Sequence, residues 1–136
     1  MKQTVLLLFF LLSVAINAQK SDYEMVAETV NYYLDGGTNN DFETLKKAFH
    51  ENATMKYITK EGYKEVNALE FFSGMDASKP KQNRKTRIAN ITISGHAANA
   101  RLEIEYPDFA FIDFMNLLKI DGEWKIVNKI FYRKTD

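Results

Sequence analysis

The strongest structural signal in this chain lies in residues 91–133, which read ITISGHAANARLEIEYPDFAFIDFMNLLKIDGEWKIVNKIFYR. Three turn sequences divide this segment, at residues 94–97, 106–109 and 120–123. An Asp-Gly pair between two apolar runs, as at Asp121-Gly122, is the strongest short-range indication of a β-hairpin. The segment is therefore predicted to form hairpin-linked strands, with a final strand after Gly122.

The turns also predict which residues face each other across the strands. The last turn pairs Leu117 with Ile126, Met115 with Asn128 and Asp113 with Ile130. The two earlier turns pair Ile104 with Phe111, Leu102 with Asp113 and Ile91 with Ala100. Because successive side chains of a strand point to opposite faces, these pairs sort the residues into two faces.

One face of the predicted sheet is almost entirely apolar. It holds Ile91, Ile93, Ala98, Ala100, Leu102, Ile104, Phe111, Met115, Leu117, Ile126 and Ile130. The other face is mixed: it carries Arg101, Glu103, Glu105, Lys125, Lys129 and Arg133, with Ile112, Phe114, Leu118, Val127 and Phe131 among them. We therefore predict a mostly antiparallel sheet whose apolar face is covered by helices. The mixed face predicts a partner subunit, and we expect a homodimer.

Two strongly polar residues, Asp113 and Asn128, interrupt the predicted apolar face. In the derived register they are diagonal neighbours, roughly 5–8 Å apart between Cβ atoms. Tyr132 follows Asn128 on the same side of the last strand. A carboxylate on an apolar sheet face is costly unless it is paired or lies in a pocket. Asp113 is therefore a structural carboxylate satisfied by a neighbour, a contact to a ligand, or a catalytic acid or base.

The residues before the sheet predict two helices. Residues 21–24 (SDYE) have the spacing of a capping box, and apolar residues then recur at helical intervals up to Leu34. Gly36-Gly37 is expected to end this first helix. Residues 39–41 (NND) offer N-cap side chains to a second, shorter helix.

Three further segments lie between these helices and the sheet. Residues 54–59 predict a strand, residues 60–62 a turn, and residues 66–75 a short helix. Residues 79–87 (KPKQNRKTR) carry five positive charges. A basic run of this kind is typical of a solvated loop, and a site for an anionic partner is the alternative.

Several aromatic and imidazole side chains are candidates for the same pocket. Tyr32 and Tyr33 on the first helix and Tyr57 on the early strand could line it, although aromatic residues at such spacing more often belong to the core. His50 is expected to cap the second helix, because a helix dipole favours a protonated His at that end. His96 is expected to be exposed in its turn. No His, Asp and Glu have metal-ligand spacing, and the chain has no Cys, so neither a metal nor another cofactor is expected.

Length and charge limit the classes of protein. The 136 residues, 46% of them hydrophobic, suffice for one domain with its own core. The 18 Lys and Arg balance 18 Asp and Glu. A nucleic-acid-binding domain usually carries a basic surplus, so no nucleic-acid partner is expected.

The N-terminus has the pattern of a secretory signal peptide. Lys2 is followed by the apolar run of residues 5–16 (VLLLFFLLSVAI) and then by Asn17, Ala18 and Gln19. A membrane span needs about 20 apolar residues, more than this run supplies. We predict that residues 1–18 are cleaved and that residues 19–136 form a single exported domain, periplasmic or secreted, with no stable membrane anchor. An uncleaved anchor or a hydrophobic first helix is the alternative.

Three parts of the chain carry a resemblance to a known family. They are residues 30–36 (VNYYLDG), residues 48–50 (AFH) with Ala53-Thr54, and residues 113–129 (DFMNLLKIDGEWKIVNK). With the order helix, helix, strand, helix and curved sheet, they resemble the nuclear transport factor 2-like superfamily. More narrowly, residues 21–133 are similar to the bacterial family labelled "putative lumazine-binding".

The resemblance implies a cone-shaped α+β domain, in which N-terminal helices pack on a curved, mostly antiparallel sheet around a pocket that opens at one end. Three functions fit it. The favoured one is an exported domain that binds a small apolar or aromatic molecule. The second is an isomerase, cyclase or dehydratase. Asp113 would be its acid or base, and a tyrosine would donate a hydrogen bond to the developing oxyanion. The isomerases of this fold need an acidic pair, however, and a second carboxylate is missing. The third is a non-catalytic interaction module whose cone is filled by side chains.

Overall fold

A capping box sets the start of the first helix in the computed structural model, which describes residues 19–135. Helix α1 is Asp22–Asn39. The backbone N–H of Glu24 donates to the Ser21 hydroxyl at 3.2 Å, and the Ser21 N–H donates to the Glu24 carboxylate at 2.8 Å. These bonds satisfy donors that a helix N-terminus would leave free, so the predicted start is confirmed. The predicted signal peptide, residues 1–18, lies outside the described residues.

The expectation that Gly36-Gly37 ends α1 is wrong. The helix continues to Asn39, and Asn40 closes it in the left-handed conformation with a φ of 54°. Both glycines are buried, and they allow two close approaches. A Cβ on Gly36 would lie 2.5 Å from the Leu45 backbone nitrogen, and one on Gly37 would lie 2.3 Å from Nη2 of Arg84. A glycine pair that ends a helix and one that admits a neighbour look alike in sequence.

The second helix is present but short. Helix α2 is Phe42–Leu45, begun by Asp41, whose carboxylate accepts from the Thr44 N–H at 3.1 Å. A 3₁₀ turn, Lys46–Ala48, leads into strand β1, Phe49–Thr59. The predicted helix at residues 66–75 is only partly right, because strand β2, Gly62–Asn67, pairs with β1 and helix α3 is limited to Ala68–Phe72. Pairing with a neighbouring strand has overridden the local pattern.

Four long strands complete the sheet: β3 Lys85–Ser94, β4 Ala97–Glu105, β5 Phe109–Ile120 and β6 Glu123–Thr135. The six strands lie in the order β2-β1-β6-β5-β4-β3, with β1 and β6 parallel and every other pair antiparallel. The predicted α+β architecture is confirmed. Within residues 19–135, no helix combines the length and apolar character needed to cross a bilayer.

The predicted register holds near the turns and fails beyond Val127. The pairs Ile91 with Ala100, Ile104 with Phe111, Leu102 with Asp113 and Leu117 with Ile126 are all present. Asn128, however, pairs with Asn116, and the register shifts between Asn116 and Leu117. Val127 is thus the extra residue of a β-bulge, and such an insertion moves every later side chain to the opposite face.

The bulge corrects the assignment of residues to the two faces of β6. Lys129 was expected on the outer, mixed face but is only 4% exposed, among the core residues. Ile130 was expected on the apolar face but is 44% exposed. Asp113 therefore has Phe131 opposite it and Lys129 nearby, where Ile130 and Asn128 were expected.

Trp124 joins the final strand to the first helix. Its side chain is buried, and its indole N–H donates to the Asp22 carboxylate at 3.1 Å. The Thr29 hydroxyl donates to the Trp124 carbonyl oxygen at 3.0 Å. These contacts hold α1 against the start of β6, so the core lies between the helix and the inner face of the sheet.

Candidate functional site

A cavity of about 220 Å³ lies between α1, α3 and the inner face of the sheet. Most of its wall is apolar or aromatic, formed by Leu45, Met55, Phe71, Phe72, Met75, Ile104, Phe111 and Phe131. Its polar side chains are Tyr33, Asn40, Gln82, Arg84, Tyr106 and Lys129. An apolar cavity with a few polar groups is the usual form of a small-molecule site.

Three buried polar side chains meet beside this cavity. Asp113, in the middle of β5, is completely buried, and its Oδ2 accepts from the Tyr33 hydroxyl at 2.7 Å. The Lys129 Nζ lies 3.1 Å from Oδ1. Apart from this ion contact, Oδ1 accepts no hydrogen bond from residues 19–135. Tyr33 and Lys129 line the cavity, whereas Asp113 lies behind them.

The local sequence explains how each of the three side chains reaches this point. Tyr33 shares the buried face of α1 with Val26 and Val30, at helical intervals of three and four. Asp113 shares the inner face of β5 with Met115. Lys129 reaches the inner face only because of the bulge at Val127.

Burial sets the protonation of the two side chains that line the cavity. Removal from water raises the pKa of Tyr33 well above its usual value, and the nearby Asp113 charge raises it further. Burial lowers the pKa of Lys129, while the Asp113 charge acts in the opposite direction. Tyr33 therefore stays protonated as a hydrogen-bond donor, and Lys129 loses its proton more easily than a lysine on the surface.

Arg84 is the second cation of the cavity wall, and sequence reasoning did not single it out. The guanidinium donates to the Thr38 hydroxyl at 2.8 Å, the Leu34 carbonyl at 2.9 Å and the Tyr106 hydroxyl at 3.1 Å. It forms no ion pair with a carboxylate among residues 19–135. A guanidinium has five N–H donors, so two of them have no partner among residues 19–135.

The positions of Arg84 and its neighbours correct the expectation of a solvated basic loop. Lys79, Lys81 and Lys85 are exposed as expected, but Arg84 turns inward over Gly37. Gln82 supports it, since its side-chain amide donates to the Gly37 carbonyl at 2.8 Å and accepts from the Tyr106 hydroxyl at 2.5 Å. The one feature of the sequence that could have indicated an inward-facing Arg84 is Gly37, because a glycine makes room for the guanidinium.

The other predicted site residues do not line the cavity. The Tyr32 hydroxyl donates to Glu28 at 3.1 Å, away from Tyr33, and Tyr57 stacks on Phe131 with ring centroids 5.0 Å apart. The prediction that Asn128 lies beside Asp113 is wrong, because the Asn128 amide donates to the Thr54 hydroxyl and accepts from Asn116. Tyr132 is 64% exposed on the same outer face as Asn128.

The two histidines lie away from the cavity. His50 belongs to β1, and its Nδ1 accepts from the Asn52 N–H at 3.1 Å. Helix α2 ends with Lys46 as its C-cap and the following 3₁₀ turn ends with Phe49, so the expected capping of the second helix by His50 is wrong. His96 is exposed in the turn between β3 and β4, as predicted. In the described part of the chain, no three His, Asp or Glu side chains gather as metal ligands would.

Comparison with known proteins agrees with this architecture. The sequence model of the family described as "Putative lumazine-binding" matches residues 21–132. A protein from Shewanella baltica with this fold is 29% identical, with a TM-score of 0.76, and the match covers 87% of this chain and 100% of that one. One from Methylobacillus flagellatus is 30% identical, with a TM-score of 0.73, over 88% and 98% of the two chains.

A curated protein, "Aldolase FrzH" of Cladobotryum sp., is 26% identical over 114 residues, which cover 82% of this chain and 91% of that protein. The match of the family model spans almost all of the residues that form the helices, the sheet and the cavity. This chain belongs to the family described as "Putative lumazine-binding", within the nuclear transport factor 2-like superfamily.

Proposed function

We propose that the cavity binds a small apolar or aromatic molecule that carries an acidic or carbonyl oxygen. The observation that carries this proposal is the presence of two cations, Arg84 and Lys129, in a wall that is otherwise mostly apolar. One carboxylate, Asp113, lies beside them, so these three groups together carry one net positive charge. A positive site in a mostly apolar wall favours an anionic or strongly electron-rich oxygen.

The apolar wall supports the other half of the proposal. Phe71, Phe72, Phe111 and Phe131 offer ring faces and edges to a flat ligand. The family description names lumazine, a planar ring system that bears carbonyl oxygens, and it therefore supports the same ligand class. The two remaining N–H groups of Arg84 would fix the orientation of the ligand oxygen.

A carbonyl-processing enzyme is the second candidate. The buried group of Tyr33, Asp113 and Lys129 favours it, because hydrogen-bonded titratable groups beside a cavity can move protons. The name of the Cladobotryum relative, an aldolase, supports carbonyl chemistry. Asp113 would act through Tyr33 or Lys129, since its own carboxylate does not line the cavity.

Calorimetric titration with a matched pair of ligands tests the binding proposal. We expect 2-naphthoate to bind more tightly than neutral 2-naphthamide, and lumazine to bind as well. Arg84→Gln should weaken naphthoate binding about tenfold to a hundredfold, the value of a charge-assisted hydrogen bond of about 1.5–3 kcal/mol. Arg87→Gln is the control, because Arg87 is exposed and pairs with Glu103 outside the cavity. Equal affinity of the two variants for naphthoate would exclude this role of Arg84.

We also propose that the domain acts outside the cytoplasm. The support is the signal-peptide pattern of residues 1–18, in which a positive residue precedes a short apolar run and a small residue. N-terminal sequencing of the protein from its host should then begin at Gln19. Recovery of the intact N-terminus from the cytoplasmic fraction would contradict export.

A further inference from the structure

We propose that Lys129 is a nucleophilic amine that forms a covalent imine with an aldehyde or ketone bound in the cavity. This inference rests on the proposed binding function, since the carbonyl compound must enter the same cavity. It goes beyond binding because it assigns a covalent reaction to one side chain. The class of substrate is an apolar or aromatic carbonyl compound, and an oxo acid would also suit Arg84.

The position of Lys129 supports this role. Its Nζ reaches the cavity wall although the residue is only 4% exposed. The ammonium group lies 4.1 Å from the centroid of the Phe131 ring and 5.7 Å from that of the Tyr33 ring. No other lysine of residues 19–135 is buried. Lys129 is thus held at an apolar cavity by aromatic rings, where a surface lysine would be surrounded by water.

The groups that face Lys129 control its proton. They are Asp113 from β5, Tyr33 from α1 and Arg84 from the segment before β3. Burial and the positive charge of Arg84 favour the neutral amine, whereas Asp113 favours the ammonium. Asp113 is also the nearest base, because its Oδ1 lies 3.1 Å from Nζ and, apart from this ion contact, accepts no hydrogen bond in the described chain.

The reaction balances without another reactant. The Lys129 ammonium first gives one proton to Asp113, which leaves a neutral amine with two hydrogens. The nitrogen lone pair attacks the carbonyl carbon, and the carbonyl oxygen takes up a proton to form a carbinolamine. As the C=N bond forms, the C–O bond breaks and water leaves. The two amine hydrogens and the carbonyl oxygen make up that water, so amine and carbonyl give imine and water.

Borohydride trapping tests the proposal directly. The folded protein is incubated with phenylpyruvate and sodium cyanoborohydride, digested, and mapped by mass spectrometry. We expect one saturable adduct per chain, on Lys129, formed at least about tenfold faster than on any exposed lysine at neutral pH. An excess of 3-phenylpropionate, which lacks the keto group, should suppress it. Because the pKa of Lys129 is lowered by burial, the trapping rate should also rise with pH at a midpoint below the usual lysine value of 10.5.

Matched variants separate this inference from the binding proposal. Lys129→Met should abolish the adduct, and Lys125→Met, altered in the same strand on the other face, should retain it. Because Lys129→Met leaves the Asp113 carboxylate without its cation, this variant could fail to fold. The double variant Asp113→Asn/Lys129→Met removes both charges, should fold, and should also form no adduct. Calorimetric binding of 3-phenylpropionate without any adduct from phenylpyruvate would overturn the imine and leave the binding function intact. Adducts spread over the exposed lysines would also overturn the imine. If the wild-type protein bound neither 3-phenylpropionate nor phenylpyruvate, both proposals would be overturned.

Discussion

At the scale of single residues, the cavity is organised by one carboxylate that has no contact with solvent. Asp113 is satisfied on one oxygen by the Tyr33 hydroxyl and lies near the Lys129 ammonium on the other. Removing one member of such a buried pair leaves an uncompensated charge, which typically costs about 3–5 kcal/mol. Replacing the pair by neutral groups costs much less. We therefore expect the loss of one partner of this pair to cost more stability than the replacement of both.

The Tyr33 hydrogen bond leads to a prediction about pH. Tyr33→Phe should lower the free energy of unfolding by about 1.5–3 kcal/mol near pH 7, because the hydroxyl donates to a charged group. The pKa of Tyr33 is raised well above 10.0 in the folded protein, so above about pH 10 the tyrosine ionises only after unfolding. Its stabilising contribution is therefore complete below pH 10 and is lost as the pH rises further.

Urea unfolding at pH 7 and pH 11 measures this effect. The difference between the wild type and Tyr33→Phe should shrink by up to about 1.4 kcal/mol for one pH unit above 10. Tyr32→Phe is the matched control, since the Tyr32 hydroxyl donates to the surface residue Glu28 and its removal should change the free energy of unfolding little. A difference between wild type and Tyr33→Phe that stays constant from pH 7 to pH 11 would contradict the assignment.

At the scale of secondary structure, the turns could be predicted and the bulge could not. The Asp121-Gly122, Pro107-Asp108 and Gly95-His96 turns depend on local backbone preferences, which a short sequence specifies. The bulge at Val127 depends on how two whole strands fit the core, and no glycine or proline marks it. The adjacent apolar residues Ile126 and Val127 were the one local hint. Consequently Asp113 and Tyr33 were found from the sequence, while Lys129 was placed on the wrong face.

The contact between α1 and α2 yields a second prediction. Gly→Ala inside a helix usually stabilises by about 1 kcal/mol. At Gly36 the added Cβ would lie 2.5 Å from the backbone nitrogen of Leu45, and backbone cannot move aside easily. We therefore expect Gly36→Ala to destabilise the protein by about 1–3 kcal/mol in denaturant melts. Gly74→Ala is the control because nothing lies within 4 Å of its added Cβ. Equal stability of the two variants would disprove the close helix contact.

At the scale of the whole molecule, none of the helices or strands of residues 19–135 covers the outer face of the sheet. Side-chain hydrogen bonds link Asn99, Asn116, Asn128 and Thr54 across four neighbouring strands of this face. Around them lie apolar side chains that are partly or largely exposed, with Leu118 at 38%, Ile130 at 44% and Tyr132 at 64%. An exposed apolar surface with a polar network in it is suited to a protein interface rather than to water alone.

We propose that a second copy of the chain covers this face. A two-fold interface uses the same patch on both subunits, and side chains in a central strand such as β6 then lie near the axis.

Sedimentation of the mature protein should give the mass of a dimer at micromolar concentration, and Ile130→Glu should shift it to the monomer by placing like charges in the interface. Tyr23→Glu, at an exposed position on α1, should remain dimeric. Because Ile130 points away from the cavity, the Ile130→Glu monomer should still bind naphthoate. A wild-type protein that sediments as a monomer at every concentration would eliminate the dimer.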